Sequence, residues 1–555
     1  VTSSNTASTF RSKLNSLKNT LSTPSHWLCF FSGFFLVFAY APFSIWWLPL
    51  VLPSVVLYQI RSAAPKLATK KLGLFALGWF TSGISWVHVS IEQFGGMPLV
   101  FSLLLMLALC LYLSLFPALA GYLTAKISKT KQLNLWLLPS IWLFCEYLRS
   151  VVLTGFPWLS LGYSQIDSPL ASFAPVIGEV GITAIVLLIN ICLVKLYLVI
   201  FSKINLNNNA ADVHISDSGI ANSSTSNNVA KHRLISVSAP LAILIGITIT
   251  SGILSQQHWT TLTGESTKVA LIQGNITQSL KWQPDEEWPI MEKYLALTQL
   301  NSDADLIIWP ESAITALEPT IQDYLSNVNQ LALLNNSAII TGLLNYSYQE
   351  NAYYNAMLVL GKKNTEDKQG YYYNHSNRYY KNHLLPIGEF VPFQELLRPI
   401  APFFNLPQSS FSAGDYVQPN LIAKNIPILP LNCFEIAFPS QLAANLTKET
   451  QMILTVSNDA WFGDSHGPHQ HFEIARMRAL EFGRPVLRAT NNGVTGIIDQ
   501  QGNVTAIAPQ FEEYVLRGKV DFVSGFTPYS QWPNAILWLM IILPIILIKA
   551  LGFKA

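Results

Sequence analysis

Five ionisable side chains between residues 311 and 435 stand at the ends of short apolar runs, where folded sheets usually carry their chemistry. DLIIWPES ends on Glu311. The aromatic stretch YYYNHSNRYYKNHLLPIGEF delivers Lys381 and, eight residues later, Glu389. IPILPLNCFE ends on Cys433, with Glu435 two places beyond. A thiol, a carboxylate and an ammonium make a complete set for acyl transfer. The thiol attacks only as thiolate, so a base must take its proton. A carboxylate in a drained pocket is shifted toward neutrality and can be that base. An ammonium then steadies the oxyanion of the tetrahedral intermediate. Each residue alone also has a plainer use: Glu311 after Pro310 as a helix cap, Lys381 as a surface charge, Cys433 as an inert core thiol or a link to another chain.

The elements that must position these groups are legible around them. Apolar, β-branched runs recur as KVALIQGNI, DLIIWPE, AIITGLL, NAMLVLG, IPILPLN, MILTVSND and VTGIIDQ. Helical patterns such as EEWPIMEKYLALTQL and HFEIARMRALEFG fall between them. Strands interleaved with helices predict an α/β sandwich with buried sheets over residues 256–533.

The rest of the chain is of another kind. Half of the 555 residues are apolar and 12% are charged, against about a quarter charged in soluble proteins. Residues 256–533 hold 26 acids and 17 bases, leaving 6 acids and 17 bases elsewhere. A span needs about 20 mostly apolar residues. Eight segments qualify: 26–43, 44–60, 72–91, 97–125, 133–149, 171–201, 234–254 and 534–552. The first apolar run is followed at once by a second, unlike a cleaved leader. Lysine and arginine collect in the N-terminal arm (residues 1–25), in alternate loops and at the C-terminus, while the first and third loops carry none. That alternation predicts both termini in the cytoplasm and the large domain outside. The membrane domain then comprises 26–255, with spans 1–7, and 534–555 adds the eighth span and a short cytoplasmic tail. Within the former, the Asn/Ser-rich stretch 204–230 is too polar to fold alone and is expected as a cytoplasmic linker. An outward-facing domain meets an oxidising space, where Cys433 is its one thiol. No basic patch of the nucleic-acid-binding kind stands out. Glu146 and Glu179 lie in or near spans and receive no role.

WPES, the block Lys381 to Pro392 (KNHLLPIGEFVP), and Cys433-Phe434-Glu435 resemble the three catalytic blocks of the nitrilase superfamily. GFPWLSLGYSQ, QGNITQSLKW, SNDAWFGDSHGPHQH and RPVLRATNNG resemble, more narrowly, the apolipoprotein N-acyltransferases of the bacterial inner membrane. The resemblance covers nearly the whole chain. It implies a polytopic α-helical membrane domain of about eight spans joined to an extramembrane nitrilase-like αββα sandwich in the periplasm. By matched position it implies Glu311 as general base, Lys381 as oxyanion-stabilising lysine and Cys433 as nucleophile. Glu389 would orient the lysine, and Glu435, Phe434 and Trp282 would be supporting residues. Where the family commonly has tyrosine after the nucleophile, this chain has Phe434, which keeps the ring and loses the hydroxyl.

The implied reaction moves a fatty acyl chain from a phospholipid donor, through a cysteine thioester, to the α-amino group of the N-terminal diacylglyceryl-cysteine of an apolipoprotein. The partners are then the two lipid substrates and the bilayer, with no cofactor, metal or nucleic acid. Each substrate leaves the bilayer reluctantly, at about 0.8 kcal/mol per buried methylene, which gives the helices a purpose. Phe156 and Trp158 in an outer loop, Phe403 and Phe404 in the loop-like segment 401–415, and Trp461 are candidates to touch lipid. Segment 401–415 suits a lid as well as an ordinary buried loop. His466, His469 and His471 fit no common zinc spacing. Two other classes compete: a membrane-tethered nitrilase-type amidase hydrolysing a small amide or nitrile, and a transporter with a sensory outer domain. The amidase gives the helices no purpose, and the transporter lacks an evident inverted repeat.

Overall fold

The computed structural model describes residues 24–128, 133–210, 223–364, 366–386, 388–390 and 411–550. Among these, five helices are long and apolar enough to cross a bilayer: Leu99–Ile127, Leu135–Thr154, Pro169–Phe201, Val237–Leu254 and Pro533–Ala550. The pair Pro65–Gly83 and Val87–Phe94, bent by 56°, makes a sixth if counted as one span. Of the expected eight segments, six are thus matched by helices of spanning length among the described residues. Residues 26–43 and 44–60 fold as the shorter apolar helices Pro24–Ala39 and Leu48–Ile60. The reason is local: Pro42 lies in the turn after the first helix, and Pro49 and Pro53 stand in the first turns of Leu48–Leu50 and Leu52–Ile60, where a missing amide can begin a helix but not extend the one before. Hydropathy registers their apolar surroundings and not the interruption. The expected linker 204–230 is also shorter than its composition suggests, because Ala174–Ala210 and Ser223–Leu254 are helical into it from both sides.

Glycine sets the closest helix approach. A Cβ on Gly33 would stand 1.8 Å from the Phe75 carbonyl oxygen, and one on Gly78 would stand 2.0 Å from that of Phe30. Helices Pro24–Phe34 and Pro65–Gly83 thus meet backbone to backbone, as small residues allow between spans. Leucines such as Leu104, Leu111 and Leu115 on Leu99–Ile127 face outward.

The predicted sandwich is present. One sheet runs in the order β13 (Tyr514–Ser524), β1 (Thr261–Gln273), β2 (Leu306–Ile308), β4 (Ala338–Ser347), β5 (Ala352–Gly361), β6 (Arg378–Tyr380), with β3 (Ile314–Leu317) paired to β4. The other runs β12 (Val504–Ile507), β11 (Gly496–Ile498), β10 (Val486–Thr490), β9 (Met452–Ser457), β8 (Ile426–Asn432), β7 (Leu421–Ala423). Alternation along each strand separates the layers. Val269, Leu271, Leu306, Ile308, Leu454 and Val456 share the core between the sheets. Ala270, Ile272 and Ile307 pack instead with Ile290 and Tyr294 of helix Glu287–Gln299 and Leu325 of helix Gln322–Leu334. Because both faces are covered, these strands read as nearly continuous apolar runs.

On the far side, Leu429, Leu431 and Ile453 belong to a core that includes helix Gly467–Phe482 and continues into the membrane helices. Gln470 of that helix accepts from the indoles of Trp86 (3.2 Å) and Trp158 (2.8 Å) and donates to the Gly83 carbonyl (3.0 Å). The fourth layer of the sandwich is therefore also the layer that docks on the membrane part. Strands β2, β8, β9 and β10 are joined through parallel pairings within their sheets, and their C-terminal ends carry Glu311, Cys433 and the segment Ser457–Asp459.

Candidate active site

Cys433 ends β8 and opens the short helical turn Cys433–Ala437. Its φ of +54° lies in a region that non-glycine residues avoid, a strain that folds tolerate where a side chain must be presented. Two groups hold this turn. The Asn432 side chain and the Glu435 carboxylate cap it reciprocally. Cys433 keeps part of its surface open, whereas Cys29, Cys110, Cys145 and Cys192 are buried.

Glu311 follows β2 and Lys381 follows β6, and both are buried, Lys381 with only 2% of its surface exposed. The surface-charge alternative for Lys381 is thereby removed. Its ammonium lies 2.8 Å from Glu389 Oε2, 2.9 Å from Glu389 Oε1 and 3.5 Å from Glu311 Oε1. Asn355 of β5 joins the two acids, donating to Glu311 Oε1 and Glu389 Oε1 at 2.9 Å each. Asn432, the residue before Cys433, donates to Asn355 Oδ1 at 2.8 Å. The Asn458 backbone amide donates to Glu311 Oε2 at 3.0 Å. Thus Glu311, Lys381, Glu389 and the Cys433 turn are linked through one chain of hydrogen bonds.

The charges act on one another accordingly. Burial pushes the Cys433 thiol well above the ordinary cysteine value, and the Glu311 charge adds to this while Lys381 opposes it. Burial alone would lower Lys381, but Glu389, Glu311 and Cys433 outweigh it and hold the ammonium above the usual lysine range. The resting site is a protonated thiol beside a firmly charged ammonium.

Glu435 is fully buried and faces backbone donors instead of open space. It accepts from the amides of Asn432 (2.7 Å), Asn382 (2.8 Å) and His383 (3.0 Å), and from Tyr379 and Gln441. It therefore ties the residues after Lys381 to the turn at Cys433. The Phe434, Phe156 and Trp158 rings form one cluster, each pair stacked with centroids 6.0 to 6.2 Å apart. Trp158 is 2% exposed, which corrects its placement as an interfacial residue: its indole hydrogen bond to Gln470 draws it inward. Phe156 and Trp282 are half-buried. Trp461, also half-buried, meets Phe94 edge to face at 5.5 Å. Phe403 and Phe404 lie outside the described residues.

The three histidines engage separate partners. His466 reaches the Gly83 carbonyl (3.0 Å) and His471 that of Cys433 (3.1 Å), while His469 feels the charges of Asp459 and Asp464. Among the described residues no group of His, Cys, Asp or Glu has the arrangement of a metal site. A cavity of about 580 Å³ opens between the membrane helices and the sandwich. Its walls include Val151, Leu537, His383 and Phe438.

Comparison with known proteins agrees with this layout. Residues 32–192 match the model of the apolipoprotein N-acyltransferase N-terminal domain, and residues 268–525 match the carbon-nitrogen hydrolase model. The apolipoprotein N-acyltransferase of Shewanella oneidensis is 44% identical over 524 residues, covering 92% of this chain and 93% of that protein. That of Vibrio cholerae is 45% identical, covering 92% and 94%. The chain belongs to the apolipoprotein N-acyltransferase family.

Relative to that family's three motif blocks, the site contains polar residues that sequence reasoning passed over. Asn355 was visible only as part of the strand run NAMLVLG, yet it bridges both acids. Lys281, beside Trp282, is 2% exposed and donates to the Glu311 carbonyl at 3.1 Å. Burial pushes its ammonium down to about 8, against the pull of Glu311. Ser457 reaches Cys433, and Asp459 and Arg488 stand in line behind it. Their common signal is a polar residue in or at the end of an otherwise apolar strand.

Proposed function

We propose that this chain is an N-acyltransferase of the inner membrane that transfers a fatty acyl chain from a phospholipid to the α-amino group of an apolipoprotein's N-terminal diacylglyceryl-cysteine. The observation that supports the catalytic assignment is the Lys381 ammonium held between Glu311 and Glu389 beside the strained Cys433 turn. In the first half-reaction Glu311 takes the Cys433 proton as the sulfur attacks the acyl ester carbonyl. The C–S bond forms, Lys381 steadies the oxyanion, and the ester C–O bond breaks. Glu311 returns the proton to the departing lysophospholipid. In the second, the acceptor amine attacks the thioester and gives a proton through Glu311, the C–N bond forms and the C–S bond breaks, and the sulfur is reprotonated. A thiol held in its protonated form at rest needs such an adjacent base.

The placement of the parts fits two lipid substrates. The sandwich, 256–533, would lie in the periplasm with both termini cytoplasmic, as the lysine and arginine pattern asks. The cavity beside Val151, Phe438 and Leu537 offers apolar walls to an acyl chain at the junction of membrane and sandwich. The amidase alternative is not favoured, because the match to the family includes the membrane part, 32–192. The test is incubation with phospholipid followed by mass spectrometry of the Cys433 peptide. One fatty acyl adduct is expected, absent in Cys433→Ser; undiminished transfer by that variant refutes the assignment.

A further inference from the structure

Behind Cys433 lies a second group of buried polar side chains, drawn from the stretches SNDAWFGDSHGPHQH and RPVLRATNNG. Ser457, Asp459, His471 and Arg488 are each 1% exposed or less. Arg488 Nη2 donates to Asp459 Oδ2 at 2.8 Å and stands 2.9 Å from His471 Nδ1. Arginine only donates and the Cys433 carbonyl beyond Nε2 only accepts, so the imidazole proton sits on Nε2 and Nδ1 is an acceptor, its 3.3 Å approach to Asp459 Oδ1 carrying no hydrogen bond. That proton points at the Cys433 carbonyl, 3.1 Å away, and pins the strained turn.

The hydroxyl of Ser457 has one proton and two partners. It lies 2.6 Å from Asp459 Oδ1 and 3.3 Å from Cys433 Sγ. Burial would raise Asp459, but the Arg488 guanidinium outweighs it and keeps the carboxylate ionised, an acceptor only. While the sulfur is a thiol, the hydroxyl proton therefore belongs to Asp459, and Ser457 offers the thiol a lone pair. Once the base has taken the thiol proton, the sulfur becomes the anion nearest a rotatable hydroxyl.

We infer that Ser457 is a positioning residue for the nucleophile: its hydroxyl donates to Asp459 while Cys433 is a thiol and turns to the sulfur when it is a thiolate. No bond to carbon changes and no proton is transferred; one O–H rotates between two acceptors. The device acts twice, when the thiolate forms for attack and when the C–S bond breaks and its electron pair returns to sulfur. The charged and titratable groups around this sulfur are Glu311 and Lys381 from the first sheet, Asp459 after β9, His471 on helix Gly467–Phe482 and Arg488 on β10.

The inference rests on Cys433 being the nucleophile, and its test does not need acyl transfer. Alkylation of Cys433 by iodoacetamide is followed against pH on the full chain in detergent, reading its peptide by mass spectrometry. In Ser457→Ala the profile is expected to move up by about one pH unit, a tenfold loss of thiolate below it, and to return in Ser457→Thr. An unchanged rate, or a loss that Ser457→Thr does not restore, overturns the inference. Asp459→Asn is the second arm: it moves the profile down, and by less in a Ser457→Ala background, because the hydroxyl that responds is gone. Equal shifts in both backgrounds overturn it as well. Absence of an acyl adduct on Cys433 in the parent chain would instead sink the catalytic assignment.

Discussion

Glu435→Gln separates a supporting clamp from a catalytic carboxylate. Glu435 Oε1 takes the amides of Asn382 and His383 together with the Gln441 side chain, while Oε2 takes the Asn432 amide at 2.7 Å. The Tyr379 hydroxyl faces both oxygens. A glutamine keeps one oxygen, which best satisfies the more crowded Oε1 position. Its NH2 then confronts the Asn432 amide, donor against donor, and only Tyr379 can turn to accept. One buried amide is left unpaired, a cost of about 1–3 kcal/mol. The loosened residue is Asn432, whose side chain holds Asn355, which in turn holds Glu311 and Glu389. Thermal unfolding in detergent should show that loss, and kcat should fall by about a hundredfold, as for a reacting group displaced by an ångström. Glu435→Ala would orphan three amides, about 3–9 kcal/mol, and is expected not to fold. A Glu435→Gln protein that melts with the parent, whatever its activity, refutes the clamp.

Two further outcomes follow from the packing. Lys281 titrates near 8 when folded and at 10.5 ordinarily. The unfolded chain thus binds more protons between those values, and stability rises with pH across that window and is penalised below it. Lys281→Met should remove the slope, so that the gap between variant and parent changes by roughly 3 kcal/mol from pH 8 to 10.5; parallel melting curves would contradict it. Gly33→Ala places a methyl 1.8 Å from the Phe75 carbonyl oxygen, so helices Pro24–Phe34 and Pro65–Gly83 must separate. A loss of about 1–3 kcal/mol in thermal stability is expected, and an unchanged melting temperature would show that the contact is not needed.

Elements and inventory were legible in the order of the amino acids alone. Strands β1, β8 and β9 and helices Glu287–Gln299 and Gly467–Phe482 lie where apolar periodicity put them, because buried faces demand those patterns. Glu311, Lys381 and Cys433 were conspicuous for the same reason: a polar group closing an apolar run is costly unless it has a partner. Who those partners are depended on long-range folding. Glu311 and Lys381 come from one sheet and Cys433 from the other, so their site exists only once the two sheets face each other. Asn355 and Lys281 gained their places beside Glu311, at positions whose local pattern says only strand or helix. Trp158 turned inward because Gln470, 312 residues away, offered its indole an acceptor. The first two apolar segments fold as short helices because prolines act on backbone hydrogen bonds, which no average of side-chain hydropathy contains.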